Sequence, residues 1–366
     1  MMPLSFAPLQ GFYQLYSLIF VLFASWMFPA KATAQIGGEG VFQVLRMSPS
    51  ARVTALGGEQ PAIMGRDLGL TYQNPALLDE THEGRISLNA VDYLADIGYG
   101  YFAYADSLKG LGRVQFGINY INYGDFTAAD AFGNATGSFS AGEYLLHFGK
   151  MIMVDSFRFG ANLKLVFSSL ENYNAGGMAV DLTAARTWKQ DRVVASLLVR
   201  NLGAQLWSYA GEREPLPLDV QLAGSVKLDK APFRFGMVLH HLHQPELAAD
   251  PPETDDGGAF GFTQEDDSPN FGDQVLHHII LNTEILLSEH FHLRGGYNFM
   301  RRRELALDDA PGGIGFSWGL GFRVNRFHLS YGRAAYHAAS SLNHFSITTQ
   351  LADWRRDAGA AQSSAP

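Results

Sequence analysis

The sequence predicts an all-β fold, an antiparallel transmembrane β-barrel of about fourteen strands with an N-terminal plug segment. Segments of alternating apolar and polar residues recur along the chain, the connections between them separate into long and short ones, and charged residues are scarce. The expected organisation is a signal peptide at 1–34, a plug at 35–84, the barrel at 85–351 and a flexible tail at 352–366.

The composition of the 366-residue chain agrees with a surface that faces lipid. Charged residues make up 17% of the sequence and aromatic residues 13%, and there are 39 glycines. A soluble protein of this length normally carries about a quarter charged residues. The net charge of -9 disfavours nucleic acid as a partner, and the absence of cysteine excludes disulfides and thiol chemistry.

The N-terminus has the features of an export signal. The apolar run 15–28 is followed by Ala32-Thr33-Ala34, a small-x-small cleavage motif, so we expect the mature chain to begin near Gln35. No basic residue precedes Lys31, which departs from the usual pattern. The alternative is an uncleaved anchor, although the run is shorter than the roughly 18 residues of a membrane-spanning helix.

Alternation with a period of two is the main evidence for strands. In Arg113–Tyr120 one face carries Val, Phe, Ile and Tyr, and the other carries Arg, Gln, Gly and Asn. The same pattern occurs in 157–167, 220–228, 291–299, 327–332 and 345–351. A strand alternates in this way when one face meets an apolar medium and the other meets water.

The connections favour a barrel over a β-sandwich. Short turns are predicted near Asp106–Leu111, Val154–Asp155, Lys189–Gln190, Asp229–Lys230 and Ser288–Glu289. Long connections are predicted at Tyr123–Ala141, Gly203–Pro217, Gln244–Asp273 and Arg301–Pro311. Bacterial outer-membrane barrels place short turns in the periplasm and long loops outside, which predicts periplasmic termini.

The region before the first strand lacks sustained alternation and is too apolar for a disordered leader. We expect it to fold compactly into the barrel mouth. Its motif residues are Arg52, Gly57, Gly58, Asn74 and Pro75. Because proline sets its own φ and restricts the residue before it, Asn74-Pro75 predicts a turn that holds the plug, with contact to a ligand as the alternative.

Two charged segments are candidate partner-binding surfaces. The long connection before Asp273 is rich in carboxylates, of which we select Glu246, Asp250, Asp255, Asp256 and Asp267. Calcium binding is an alternative use of such oxygen ligands. Beyond a strand end on the same side lie Arg301, Arg302 and Arg303, whose guanidinium groups suit a lipopolysaccharide phosphate or an acidic partner. Ordinary anchoring at the membrane interface is the alternative for the arginines.

The remaining candidate groups point to structural roles. The histidines His240, His241, His243, His277 and His278 flank one long connection. No carboxylate at ligand spacing completes a metal site, and we expect His241 and His243 to continue the lipid-facing row at the interface.

No metal site, cofactor or catalytic residue is predicted, because the sequence contains neither a recognisable catalytic triad nor a phosphate loop. The chain is therefore expected not to be an enzyme. The lumen-facing charges Arg113, Arg158, Lys164 and Arg294 are expected to pair with plug carboxylates or to line a pore.

Several motifs resemble one family. The stretch Ser50–Gly58, followed by Tyr72–Leu78, resembles the PorV/PorQ group of FadL-like outer-membrane barrels of Bacteroidota. Later segments are similar to the PorQ branch of that group. They are Val199–Leu206, Leu216–Asp219 with Lys230–Arg234, Gly296–Asn298 with Arg301–Leu305, and Gly315–Gly319.

The resemblance spans essentially the whole mature chain and implies a role in type IX secretion. It implies a non-catalytic member of the outer-membrane attachment complex, with a PorZ-like surface protein and PorU- and PorV-type proteins as partners. The complex joins secreted cargo to lipopolysaccharide, which is itself a candidate contact beside outer-membrane lipid. The alternative within the same fold is FadL-like passage of an apolar small molecule.

Overall fold

The computed structural model describes residues 41–92, 97–130, 132–245, 271–305, 313–337 and 340–354. The predicted signal peptide at 1–34 lies outside these residues, as does the predicted tail from 355 onward. Residues 351–354, assigned in part to that tail, form a helical turn instead. Trp354 in this turn contacts Phe327, with ring centroids 5.6 Å apart, which extends order just beyond the last strand.

The chain forms a closed barrel of fourteen antiparallel strands, in which each strand pairs with its neighbours in sequence and the last pairs with the first. The strands are β1 Arg85–Asp92, β2 Gly98–Leu108, β3 Gly112–Ala129, β4 Ala135–Val154, β5 Phe157–Leu170, β6 Tyr173–Trp188, β7 Val193–Trp207, β8 Asp219–Lys227, β9 Phe233–Leu239, β10 Ile279–Leu286, β11 Phe291–Asn298, β12 Phe316–Val324, β13 Phe327–His337 and β14 Ser340–Gln350. The predicted fold class is confirmed.

The two faces of the wall have opposite polarity. In β5, Leu163 and Phe167 are each 41% exposed on the outside, whereas Asn162 and Lys164 are fully buried on the inside. Since apolar side chains cover the outside of a closed barrel, the surrounding medium is lipid and the fold is a transmembrane barrel.

Among the residues that the structure describes, no helix is both long and apolar enough to cross a membrane.

The connections define two ends of the barrel. Those after even-numbered strands, such as 155–156 and 325–326, are short and mark the short-turn end. The opposite end carries the connections 208–218, 240–278 and 299–315, and we call it the long-loop end. The predicted long connection Tyr123–Ala141 is wrong, because its residues extend β3 and β4 into a hairpin that pairs as far as Ala129 and Ala135.

The wall is uneven in height. Strands β3 to β7 have 14 to 20 residues. Strands β8 to β12 have only 7 to 9 residues. About 9–11 residues are needed for a tilted strand to cross the hydrocarbon core, so one side of the barrel is high and the other is short.

The segment 41–84 lies inside the barrel and forms the plug. It contains two helices, α1 (Ala51–Ala55) and α2 (Leu68–Gln73), together with 3-10 turns at Gln43–Leu45, Pro75–Leu77 and Glu80–His82. Ser50 caps α1 by accepting a hydrogen bond from Val53 N, and Asp67 caps α2 through Gly69 N. These caps satisfy backbone donors that short helices inside a barrel would otherwise leave unpaired.

The plug runs through the lumen from one end to the other. Near the long-loop end, Val44 N donates to Glu143 Oε2 at 2.8 Å. At the short-turn end, Leu351 N donates to Gly84 O at 2.8 Å, just before β1 begins. The described plug therefore starts near the long-loop end and descends to the opposite end.

A charge placed on the lipid-facing surface tests this assignment. We expect Leu163→Arg to destabilise the barrel in lipid vesicles by about 2–4 kcal/mol, the cost of a basic side chain near the bilayer midplane. Denaturant unfolding followed by tryptophan fluorescence measures the loss. The matched control is Asn172→Arg in the β5–β6 turn, and equal stability of the two variants would contradict a lipid-facing position for Leu163.

Candidate functional site

The interface between the plug and the wall is the most heavily built site in the described residues. Its first component is glycine on the inner face of the wall. A Cβ at Gly296 would lie 2.3 Å from Gly57 N, one at Gly332 would lie 2.1 Å from Ala51 O, and one at Gly160 would lie 2.3 Å from Ala76 N. The plug backbone therefore rests directly on the wall at positions that admit no side chain.

A buried carboxylate shared by three arginines is the second component. Glu284 on β10 is fully buried, and its two oxygens accept hydrogen bonds from Arg52 Nε and Nη2 of the plug, both at 2.8 Å. Arg234 Nη1 donates to the same carboxylate at 2.7 Å and Arg294 Nε at 3.1 Å. Bidentate arginine geometry of this kind gives strong, directional binding.

Arg52 therefore attaches the plug to the wall. The wall supplies Glu284 and the other two arginines of this cluster. Sequence reasoning selected Arg52 and Arg294 but missed Glu284. The available signal was a carboxylate on the inward row of β10, where Asn282 and Glu284 alternate with the outward residues Leu281, Thr283 and Ile285. A charge on that row requires a partner inside the barrel.

The Gly57-Gly58 pair ends α1. Both residues have positive φ, +98° and +96°, which glycine adopts without strain. Gly58 N donates to Val53 O at 3.0 Å and closes the helix. The carbonyl oxygen of Gly57 accepts from Asn298 Nδ2 at 3.4 Å and from Arg301 Nη2 at 3.3 Å. The turn is thus fastened to the end of β11.

Asn74 and Pro75 start the 3-10 turn that rests on β4 to β6. Asn74 Oδ1 accepts from Ala76 N at 3.1 Å, and its Nδ2 donates to Pro61 O at 2.7 Å and to Ser196 Oγ at 3.1 Å. The Asn74 side chain is completely buried. It bridges two parts of the plug to β7.

A bulge between β6 and β7 supplies the next anchor. Asn201 has a φ of 55°, and its backbone N donates to the buried carboxylate of Asp181 at 2.8 Å. Lys164 Nζ donates to Asp181 Oδ1 at 2.9 Å and to Asn201 Oδ1 at 2.8 Å. Beside the bulge, Arg200 Nη1 donates to the plug carboxylate of Glu59 at 3.0 Å.

The lumen-facing cations selected from the sequence divide between plug and wall partners. Arg113 lies 3.9 Å from the plug carboxylate of Glu83. Arg158 donates to the plug carbonyl oxygens of Ala76 and Leu78, both at 2.7 Å. Lys164 and Arg294 instead pair with the wall carboxylates Asp181 and Glu284.

At the short-turn end, the last plug turn forms a polar collar. Asp79 Oδ1 accepts from Thr81 N at 2.9 Å and lies 2.9 Å from His82 Nδ1. Burial by itself would raise the pKa of Asp79, but the His82 ring and the Thr81 donors outweigh it and lower that pKa to about 2. The Asp79 carboxylate therefore stays ionised throughout the physiological pH range.

A cavity of about 410 Å³ opens at the long-loop end, and its lining combines apolar residues such as Leu45 and Ile280 with charged ones, among them Glu59, Arg200, Asp219 and Glu304. His240 and His241 also line it. The expected lipid-facing position is wrong for His241, because the His241 ring lines this cavity and its Nδ1 lies 3.9 Å from Asp219 Oδ1. The chain turns at this residue with a φ of 54°. Within the described parts of the chain, no group of three or more His, Cys, Asp or Glu residues could hold a metal ion.

The predicted partner-binding arginines lie on one short helix, α4 (Phe299–Leu305), but do different things. Arg301 faces the plug and the cavity. Arg303 Nη1 lies 3.4 Å from Asp273 Oδ2. The predicted acidic positions Glu246, Asp250, Asp255, Asp256 and Asp267 lie outside the described residues.

The segments that carry the family resemblance meet at this interface. Val199–Leu206 contributes Arg200, Lys230–Arg234 contributes Arg234, and Gly296–Asn298 contributes Asn298, all of which hold the plug or its partner carboxylate. In Gly315–Gly319, Ser317 Oγ donates to Ala55 O at 3.1 Å. The motifs therefore encode attachment of the plug.

No protein-family model matches the chain, and no curated protein matches it. Among solved structures, it is similar to a TodX monoaromatic hydrocarbon channel (deltaS2 mutant), with 13% identity, a TM-score of 0.45 and coverage of 84% of this chain and 98% of that chain.

A Pseudomonas aeruginosa FadL homologue is similar with 10% identity, a TM-score of 0.45 and coverage of 86% of this chain and 100% of that chain. For the Acinetobacter baumannii outer membrane protein Omp33, the identity is 7%, the TM-score 0.35 and the coverage 73% of this chain and 96% of that chain. Similarity at this level assigns neither a family nor a ligand to the chain.

The shared carboxylate predicts an order of effects. Glu284→Gln leaves three buried arginines without their anion, and we expect it to destabilise the folded barrel by about 3–5 kcal/mol. Arg52→Met leaves Glu284 with two arginines, so the loss should be smaller. Denaturant unfolding in detergent micelles compares the two variants, and a larger loss for Arg52→Met would contradict the shared-carboxylate arrangement.

The wall glycines predict a contrast between adjacent residues. Gly296→Ala should push the plug from the wall and cost about 1–3 kcal/mol, the usual penalty for overpacking. Gly295→Ala is the matched control, since its Cβ would meet nothing nearer than 3.9 Å. Planar-bilayer recordings should show higher conductance for Gly296→Ala only. If both variants and the parent chain had equal conductance, the backbone contact at Gly296 would not be what keeps the lumen closed to ions.

Proposed function

We propose that the chain is a non-catalytic outer-membrane component of the type IX secretion attachment complex. In this proposal it anchors a PorZ-like surface protein and works beside PorU- and PorV-type members to support attachment of cargo at the cell surface. The observation that carries the proposal is the plug, which runs through the lumen and is fastened on several sectors of the wall.

Anchoring on many sectors favours a rigid support over a gate that opens readily. Arg52 binds the β10 carboxylate, Glu59 binds Arg200 on β7, and the carbonyl oxygens of Ala76 and Leu78 bind Arg158 on β5. To clear the lumen, the plug would have to break all three sets of buried polar contacts. Each broken contact would leave buried groups unpaired, which is energetically unfavourable.

A rigid barrel with long connections at one end is suited to hold a partner at that end, because loops on a fixed scaffold are common binding elements. We propose that this end faces the outside and the short-turn end faces the periplasm. The candidate contacts are the acidic positions between 246 and 267 and the α4 residues Arg302 and Arg303, with lipopolysaccharide phosphate as a further candidate for the arginines.

Passage of an apolar small molecule has less support from the site. Such a solute needs a continuous apolar route, and pockets for apolar ligands are lined mainly by hydrophobic side chains. The lining of the cavity at the long-loop end contains apolar residues such as Leu45 and Ile280, but the charged side chains Glu59, Arg200, Asp219 and Glu304 interrupt them. Because it is costly to bury charged groups against an apolar solute, we prefer the holding role.

Affinity purification of the tagged chain from native membranes in mild detergent tests the proposal. Mass spectrometry should identify a large secreted partner in the parent complex. Replacement of Glu246, Asp250, Asp255, Asp256 and Asp267 by their amides should reduce recovery of that partner, because the substitution removes the charge and keeps the shape.

The control carries Asp155→Asn and Asp191→Asn, which remove carboxylates from the short-turn end. Full partner recovery is expected for this control. Recovery of the barrel alone, under conditions that preserve a known membrane complex, would overturn the proposal. A deletion strain that loses uptake of an apolar solute and secretes normally would favour the transporter alternative.

A further inference from the structure

The short helix before β10 has an unusual distribution of polarity. We label this helix α3, Phe271–His277, at the long-loop end of the barrel. Its exposed residues are apolar: Phe271 is 82% exposed, Val275 44% and Leu276 41%. Its polar residues are less exposed: Asp273 is partly buried, and His277 is only 4% exposed.

Helical geometry separates these residues into two faces. At 100° per residue, Phe271, Val275 and Leu276 share one arc together with Gly272, whereas Asp273 and His277 lie on the opposite arc. Asp273 Oδ2 lies 3.4 Å from Arg303 Nη1 of α4. The charged face is thus held against the protein, and the apolar face points away from it.

This distribution is the reverse of that in a helix on a water-soluble surface, where apolar residues face the protein. It repeats the distribution of the barrel wall, where Leu281 on β10 is 44% exposed and Glu284 is buried. Because α3 leads directly into β10, its apolar face adjoins the lipid-facing row of that strand.

The strands below α3 are too short to span the membrane alone. β9 has 7 residues, and β10 and β11 have 8 each. At a tilt of 35–45°, such strands rise only about 16–22 Å along the membrane normal, whereas the apolar band of an outer-membrane barrel is about 25 Å tall. A further apolar element is needed on this side, and α3 lies where the strands end.

We propose that the apolar face of α3 lies against the lipid of the membrane leaflet at the long-loop end and completes the lipid-facing surface above β9 to β11. The occupant of this face is lipid, because the face continues a surface that already meets lipid. The inference rests on the transmembrane barrel and is independent of the identity of any secretion partner.

Single-cysteine labelling tests the position of α3, and the chain has no cysteine of its own. Phe271→Cys, Val275→Cys and Leu276→Cys are each labelled with an environment-sensitive fluorophore in the full-length barrel reconstituted into phospholipid vesicles. We expect nitroxide on the lipid acyl chains to quench all three labels strongly. Iodide in the water should quench them weakly.

Two matched positions calibrate the measurement. Leu281→Cys on the outer face of β10 reports lipid, and Lys189→Cys in the β6–β7 turn reports water. Iodide quenching of the α3 labels at the level of Lys189→Cys would overturn the proposal, as would protection from both quenchers, which would indicate a protein cover. If Leu281→Cys escapes lipid quenching, the barrel itself is not inserted, and the transmembrane assignment fails instead.

Discussion

The carboxylate of Glu284 joins the two halves of this molecule. It receives Arg52 from the plug and Arg234 and Arg294 from the neighbouring strands, so three cations share one buried anion. A buried charge without a partner is costly, so this cluster strongly favours the arrangement in which Arg52 of the plug reaches Glu284 of the wall.

Close backbone approach is the second constraint, and it explains why a larger residue at these glycine positions on the inner face of the wall would displace the plug. Gly160, Gly296 and Gly332 leave no room for a Cβ beneath the plug. The ion pairs and the glycine positions act at the same interface. The glycines let the plug backbone lie against the strands, which brings the guanidinium group of Arg52 to its carboxylate. The lumen is therefore filled by main chain as much as by side chains.

Much of the fold could be predicted from sequence, because lipid on one side and a polar lumen on the other impose a period of two. The site was less accessible. Arg52 and Asn74 stood out as motif residues, but Glu284 did not, because its partners Arg52 and Arg234 are distant in sequence and pairing depends on strand register. The hairpin formed by β3 and β4 was missed for a related reason: beyond the membrane neither face meets lipid, and the alternation fades. The predicted acidic surface at 246–267 lies outside the described residues and stays a prediction.

The path of the plug has a consequence for assembly. Ala51, near the beginning of the described chain, donates through its backbone N to Ser346 Oγ on the last strand, 295 residues later. The contacts of the plug are therefore complete only when β14 has paired with β1. Contacts between residues far apart in sequence form slowly. The unfolded chain therefore needs protection from aggregation until β14 has paired.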